Sequence, residues 1–568
     1  MGLTSVLQIG QSGLAASQAA LQVAGNNMAN AATPGFSRQT ATLAAVRGQT
    51  IGANSFIGNG VRLQSVARHV DEAVLSRLRS AISDQSGAEV DQSLLHQIET
   101  LQNELSGSDI SSGLTDFFAT WDQLAGQPDD NAVRSLVVQQ GANLASQIQD
   151  LRQNYTDIQT QTDADLGTAV SSANDLISQI ALVNNQIAQS ERGQGTDSAL
   201  RDQRDQMLDQ LSGLLDINTK EQPAGTVDVF VGSIPVVLGS EARGIHLDVR
   251  EATSGTTVSV RVDADGTALK VKSGRIGGLL DSRSGDVNQA INNLDQLAGA
   301  LIFEVNRIHS QGQGKVGLSS VTGTYQVSDT TAALNSNDAG LPFTIQNGSF
   351  LLNLTDSVTG ERQSFKINVD LDGIGTDTSL DDLAAQINTA AGAGGVTASV
   401  TANGELQLTA DSGKTLSFSD DSSGALAALG INTYFTGKDA TDIAVNDTVL
   451  NSNQLLATGM NHVEGSNDAA LAIAGLGQQP LDEFNGASLS EFWSSNVEDL
   501  AVRTGAADTK VESTKVIRDN LDSQRAGVSG VNLDEESVNL IQFQQQYQAS
   551  ARLISMADQL TQILLSIV

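Results

Sequence analysis

The residue types that do chemistry are present in this chain but are not arranged to do it. Five histidines, His69, His96, His246, His309 and His462, lie far apart and at no metal-ligand spacing, and neither His-Glu-x-x-His nor Gly-x-Ser-x-Gly occurs. The absence of cysteine removes thiol nucleophiles, disulfides and every zinc site that needs sulfur. Gly274-Arg275-Ile276-Gly277-Gly278 looks like a phosphate-cradling loop, yet it lacks the closing Gly-Lys-Ser/Thr and the spacing of a dinucleotide fingerprint. Asp381-Asp382 and Asp420-Asp421 have the oxygen chemistry for calcium. No EF-hand or nonapeptide frame surrounds them, however, and in so acidic a chain they read as a solvated face. These residues predict no enzyme, no cofactor and no metal centre.

What the spacing does organise is helix surface. From Asn532 to Val568, Leu540, Phe543, Tyr547, Ser550, Ile554, Ala557, Thr561, Leu564 and Val568 keep a 3,4 alternation. Ala549, Leu553, Met556, Leu560, Ile563 and Ile567 repeat it one residue out of phase. At roughly 1.5 to 3 kcal/mol per buried large side chain, two seams predict a helix covered on two faces, one by this chain and one by a neighbour. Asn532 is placed to cap its start, with Glu535 at the capping-box position and Asp534 and Glu536 at the positive end of the macrodipole. The pattern runs to Val568 with no capping residue, which predicts that a neighbouring chain completes that end.

Residues 3 to 30 are the expected cover for one seam. Leu3, Val6, Gly10, Leu14, Ser17, Leu21, Ala24 and Met28 recur at helical spacing, and the small residues among them let two backbones approach closely. The helix is expected to end near Asn30. Thr33-Pro34-Gly35 then combines an extended bias, a fixed φ and a free φ in succession, which predicts a defined turn leading to Phe36 and Arg38.

Composition bounds the rest. A length of 568 residues exceeds one hydrophobic core and predicts three or four domains. With 31 basic and 65 acidic residues the net charge is -34, which argues against nucleic-acid and anionic-membrane partners. The first 70 residues stand apart, with Arg38, Arg47, Arg62 and Arg68 and no acid. Met1 to Ala20 lacks the basic and apolar regions of a secretory signal peptide, and no apolar run is long enough to span a bilayer, so export would need another route.

Between the termini the period predicts long helices over 61 to 217. Leu94, Ile98, Leu101 and Leu105 form one seam, and Leu114, Phe117, Phe118, Trp121 and Leu124 a short helix. Leu144, Ile148, Leu151, Tyr155 and Ile158 resume as Leu176, Ile180, Val183 and Ile187 after a polar interval, reading as one long helix. A switch to period 2 predicts a small antiparallel sheet over about 225 to 272, with Asp265-Gly266 as a tight turn. Val287, Ile291, Leu294, Ala298, Leu301, Val305 and Ile308 form another helix. Residues 321 to 435 read as a β-rich insertion with a helix at Leu380 to Ala390, and Ser488 to Arg525 as a returning helix. The fold class is therefore multidomain, mainly α with β. The expected division is 1–60 plus 527–568 as a terminal coiled-coil assembly domain, 61–320 plus 436–526 as a helical rod with the small sheet, and 321–435 as the inserted outer domain.

Asn26-Asn27-Met28-Ala29-Asn30-Ala31-Ala32-Thr33-Pro34-Gly35-Phe36-Ser37-Arg38 resembles the N-terminal signature of the bacterial flagellar rod and hook family of axial proteins. Gly530 to Glu536, followed by Phe543 to Arg552, resembles the matching C-terminal signature, and Ser364 to Val400, centred on Ile387-Asn388, is similar to a unit of flagellin and hook-associated outer domains. The resemblance implies paired terminal helices lining a central channel and a ring-like homo-oligomer outside the cell. It also implies export through the flagellar type III apparatus with an uncleaved signal. Implied partners are further copies of the chain, the hook protein, a second hook-associated junction protein and an export chaperone. The long helical region implies a subunit joining hook to filament. The alternatives are a hook or distal-rod subunit, a surface-displayed adhesive or binding protein, and an acidic secreted enzyme.

Overall fold

The computed structural model describes residues 3–50, 56–104, 107, 109–192, 195–252, 255–392, 395–460, 463 and 465–567, with Leu105, His462 and Val568 outside them and Ile567 given only as backbone. The chain divides into two compact units, one of residues 1–93, 161–284 and 506–568, the other of 94–160 and 285–505.

The first unit holds both terminal helices, Leu3–Ala29 and Leu533–Ile567. Between the N-terminal helix and residue 70 the sequence reading found only a turn, whereas the structure has an antiparallel ribbon. Gln39–Ala45 pairs with Val61–Arg68, in register from Gln39 opposite Arg68 to Ala45 opposite Val61, with an irregularity at Thr42/Leu43. Helix Ser198–Leu214 starts at Asp197, whose carboxylate accepts from Leu200 N at 3.3 Å. The small sheet is four-stranded, running Ile217–Glu221, Val227–Val231, Ile234–Leu238 and Glu241–Ala242, with Val229, Val231, Val236 and Val237 fully buried. A separate ribbon pairs Ile245–Ala252 with Gly255–Val262. The helix Asn131–Ser190 fixes the sheet through buried Asn184, which donates to Val227 O at 2.8 Å and accepts from Val227 N at 3.1 Å. The polar interval in that helix is continuous helix, because Thr162 and Leu166 both turn into the core.

Gly274 to Gly278 opens a helix rather than a ligand loop. A Cβ on Gly278 would lie 2.8 Å from Gly87 O, so these glycines allow helices Gly274–Ser282 and Glu72–Gln102 to touch backbone to backbone.

The second unit is built on an aromatic core. Helix Ile110–Gly126 buries Phe117 and Trp121 against Tyr434 and Phe435, with ring centroids 5.3 Å apart for Trp121–Tyr434 and 5.6 Å for Phe117–Phe435. Tyr434 donates its hydroxyl to Val137 O at 2.8 Å. The out-and-back path of the chain is therefore a packing fact here, since residues over 300 positions apart share one core. The β-rich part has two three-stranded sheets. One centres on Gly348–Asp356 between Arg362–Val369 and Lys414–Ser419, the other on Leu406–Ala410 between Ser320–Thr322 and Val396–Val400.

Helix Leu380–Ala391 docks on these sheets through Leu380, Leu383 and Ile387. Asn388 locks it in place, donating to Ala398 O and accepting from Ala398 N, both at 2.8 Å. The acidic pairs act locally. Asp382 closes a capping box with Ser379, and Asp421 accepts the backbone N–H groups of Ser423, Gly424 and Leu426.

Candidate assembly interface

The two terminal helices are antiparallel, because Gly10 meets Ile554 at one end and Asn27 meets Glu536 at the other. A Cβ on Gly10 would sit 2.6 Å from Ile554 Cγ1, and one on Gly13 would sit 2.7 Å from Ser550 Oγ. At Gly10 a side chain would force Ile554 to shift, so glycine there favours this close approach. Ser17, Ala20, Ala24 and Asn27, buried at the same 3,4 spacing, extend the small-residue line.

On the C-terminal helix the two seams part company. Ala557 is fully buried, and Leu540, Phe543, Ser550, Ile554 and Thr561 are half-buried. Of the second seam, Leu553 is half-buried, whereas Met556, Leu560 and Ile563 are 57%, 51% and 54% exposed. Tyr547 and Leu564, at the border of the first seam, are also exposed, as are Val538, Ile541 and Leu565. At about 25 cal/mol per Å² of apolar surface, so long a line of exposed large side chains is a costly apolar strip in a lone chain.

The signature turn links these helices to the body of their unit. Asn30 donates to Asn26 O at 3.0 Å and to Asn26 Oδ1 at 2.9 Å, while Thr33 N and Phe36 N donate to Asn30 O and Thr33 O. Gly35 has φ +76°, and a Cβ there would collide with Gln206, whose side chain donates to Pro34 O. Arg38 is the hinge of the arrangement. Its backbone N–H donates to Ser529 O at 2.9 Å, its Nε pairs with Glu536 Oε1 at 2.9 Å and its Nη1 with Glu535 Oε2 at 3.0 Å. Glu536 is only 3% exposed and also accepts from Asn27 Nδ2 at 3.2 Å, while Asn27 holds Gln39 through two further bonds of 2.8 and 3.0 Å. Asn532 does cap the helix, accepting from Asp534 N at 2.9 Å, but the Glu535 carboxylate goes to Arg38.

A buried charge cluster missed by the sequence reading supports the turn from below. Arg68 pairs with Asp202 at 2.9 Å and with Asp205, and Arg79 pairs with Asp205 at 3.2 Å and Asp209 at 2.8 Å. Arg525 joins at Asp209, and Asp202 accepts from Ser37 N. Burial pushes the Asp202 and Asp209 carboxyls upward, against the pull of Arg68 and Arg79. The signal was present in the sequence, since Asp202, Asp205 and Asp209 lie on one helical face, the spacing of a stripe that needs cations.

Among the described residues, the carboxylates close enough to share a cation are Asp370, Asp372 and Asp377, in an exposed loop whose own N–H groups from Gly373 and Ile374 bond Asp377 and Asp372. No helix among the described residues is long and apolar enough to cross a membrane.

Comparison with known proteins agrees along the chain. Residues 95–323 match the family described as the flagellar hook-associated protein FlgK helical domain. Residues 7–36 match the flagella basal body rod protein family, 523–567 the flagellar basal body rod FlgEFG protein C-terminal family, and 352–412 the flagellin hook IN motif. Flagellar hook-associated protein 1 of Escherichia coli K12 is 28% identical over 581 residues, covering all of both chains. That of Bacillus subtilis 168 is 25% identical, over 98% of this chain and 96% of the relative. The solved structure of the flagellar hook junction protein FlgK from Burkholderia pseudomallei shares the fold, with a TM-score of 0.50 and 16% identity over 80% of this chain and 100% of that one. Along its whole length the chain is similar to flagellar hook-associated protein 1, and its central helical part matches the helical domain described for that protein.

Proposed function

We propose that this chain is a structural, non-catalytic subunit of the junction between flagellar hook and filament, assembled with copies of itself through its paired terminal helices. The observation that carries this reading is the divided C-terminal helix, with one seam against residues 3 to 29 of its own chain and Met556, Leu560 and Ile563 left uncovered. The proposed neighbours are further copies in a ring, the hook protein on one side and a second hook-associated junction protein on the other. An export chaperone would cover the apolar face before secretion through the type III apparatus, and the subunit would act outside the cell. Residues 1–60 with 527–568 serve as the assembly domain, 61–320 with 436–526 as the rod and 321–435 as the outward domain.

Removing Leu553 to Val568 tests the reading. The truncated chain should fold in its second unit, which contains none of these residues, yet fail to enter flagella, leaving cells non-motile. Retained motility contradicts it.

A further inference from the structure

Arg47 and Arg62 are the unexplained charges of the assembly region. No acid precedes Asp71, and of the four arginines before it Arg38 and Arg68 are held by carboxylates of this chain. Arg47 and Arg62 are exposed and make no ion pair among the described residues.

The ribbon that carries them is pinned to the N-terminal helix at both ends. Gln39 is held by Asn27, and Val61 N donates to Ser12 Oγ at 3.3 Å. Ser12 and Asn27 are about 22 Å apart along a helix at 1.5 Å per residue, and the strand Gln39–Ala45 spans about 23 Å, so the ribbon runs alongside the helix. Arg47 and Arg62 lie at its Ser12 end. The Arg38 clamp lies at the other, together with the first turn of the C-terminal helix. There Asp534 is exposed with no partner for its carboxylate among the described residues, and Glu535 is 58% exposed although it pairs with Arg38. Within one chain the two arginines and this acidic turn are therefore on the order of 20 Å apart and cannot neutralise each other. A second copy shifted along the helix pair by that length brings them together.

We propose that Arg47 and Arg62 form a docking surface for the acidic first turn, Asp534 and Glu535, of a second copy of this chain. The proposal rests on the assembly reading and deepens it by naming a contact outside the apolar seam. Charge complementarity selects the occupant, because Gln64 and Ser65, exposed on the ribbon near Arg62, are uncharged and no acid of residues 1–70 competes for the two arginines. An arginine fork donates two parallel bonds to the oxygens of one carboxylate, so the contact fixes register as well as affinity.

The test uses the full chain in cells lacking their own copy, comparing chain recovered with sheared flagella to chain exported into the medium. Arg47→Glu with Arg62→Glu should lower incorporation at least tenfold relative to exported chain, and Arg47→Lys with Arg62→Lys should stay within about twofold of wild type. Adding Asp534→Arg to the Glu pair should restore at least half of the wild-type level. Wild-type incorporation by the Glu pair overturns the proposal. Absence of restoration in the triple variant also overturns it, by assigning the arginines to a partner other than a second copy. If the unaltered chain itself does not enter flagella, the assembly reading fails instead.

Discussion

Replacing Arg38 with alanine should speed amide exchange over residues 536–547 by roughly two orders of magnitude. The Glu536 carboxylate is 3% exposed, and among the described residues its ion-pair partner is Arg38, whose Nε lies at 2.9 Å. Without it the carboxylate keeps Asn27 Nδ2 at 3.2 Å and little else. Removing one partner of a buried ion pair costs about 3 kcal/mol, which is a factor of about a hundred in an opening equilibrium. The lost pair with Glu535 adds little, because that carboxylate is largely in water. Arg38→Lys keeps the charge but not the two-pronged reach to both glutamates, and an intermediate rate is expected. Unchanged exchange in Arg38→Ala would mean that the helices pair through apolar contacts alone and that the signature turn does not clamp them.

The second large effect lies in the other unit and depends on pH. His309 is completely buried. Its Nδ1 donates to Asn432 O at 2.8 Å and its Nε2 accepts from Ala457 N at 3.0 Å, an arrangement that only the neutral ring satisfies. Burial pushes its pKa down to about 4, with nearby Arg134 adding to the effect. Below about 6.5 the unfolded chain binds a proton that the folded chain refuses until about 4, so folded stability is complete above pH 6.5 and lost as pH falls through that window. The full loss is about 3 kcal/mol at 1.36 kcal/mol per unit.

The chain has two tryptophans, Trp121 and Trp493, both in the second unit, so their fluorescence reports its unfolding alone. Half-buried carboxyls pushed upward by desolvation, such as Glu104 and Asp295, act in the opposite sense. The informative quantity is therefore the difference between wild type and His309→Gln. The wild-type advantage in urea should shrink by about 3 kcal/mol between pH 7 and pH 4. A constant advantage would show that the ring is not held neutral.

What could be read in the sequence was what repeats or ends an element locally. The 3,4 seams of residues 540 to 564, the helix stop at Thr33-Pro34-Gly35 and the helix Leu380–Ala391 are all set by neighbours within a turn or two, and each appears where the pattern places it. Even the two seams of the last helix differ in burial, since a helix so apolar on two sides cannot be satisfied by one partner.

The ribbon Gln39–Ala45 with Val61–Arg68 was invisible for a physical reason. Its alternation is short and breaks off, Thr40-Ala41-Thr42-Leu43 ending in Ala44-Ala45 and Val61-Arg62-Leu63-Gln64 in Ser65, and neither strand buries a face, so the period-2 signal is weak. Glu536 shows the other kind of loss. Spacing gives it a role at the helix dipole, whereas its burial and its partner Arg38, 498 residues away, come only from the fold. The same holds for Asp202, Asp205 and Asp209, whose helical stripe was legible but whose arginines at 68, 79 and 525 were not assignable to it.

The most direct measurement is the position of the chain on intact flagella. With an epitope placed in the exposed turn at Val358 and gold-labelled antibody viewed by electron microscopy, the account predicts label confined to the boundary between hook and filament. Label spread along the filament, along the hook, or on the cell surface away from flagella would contradict it.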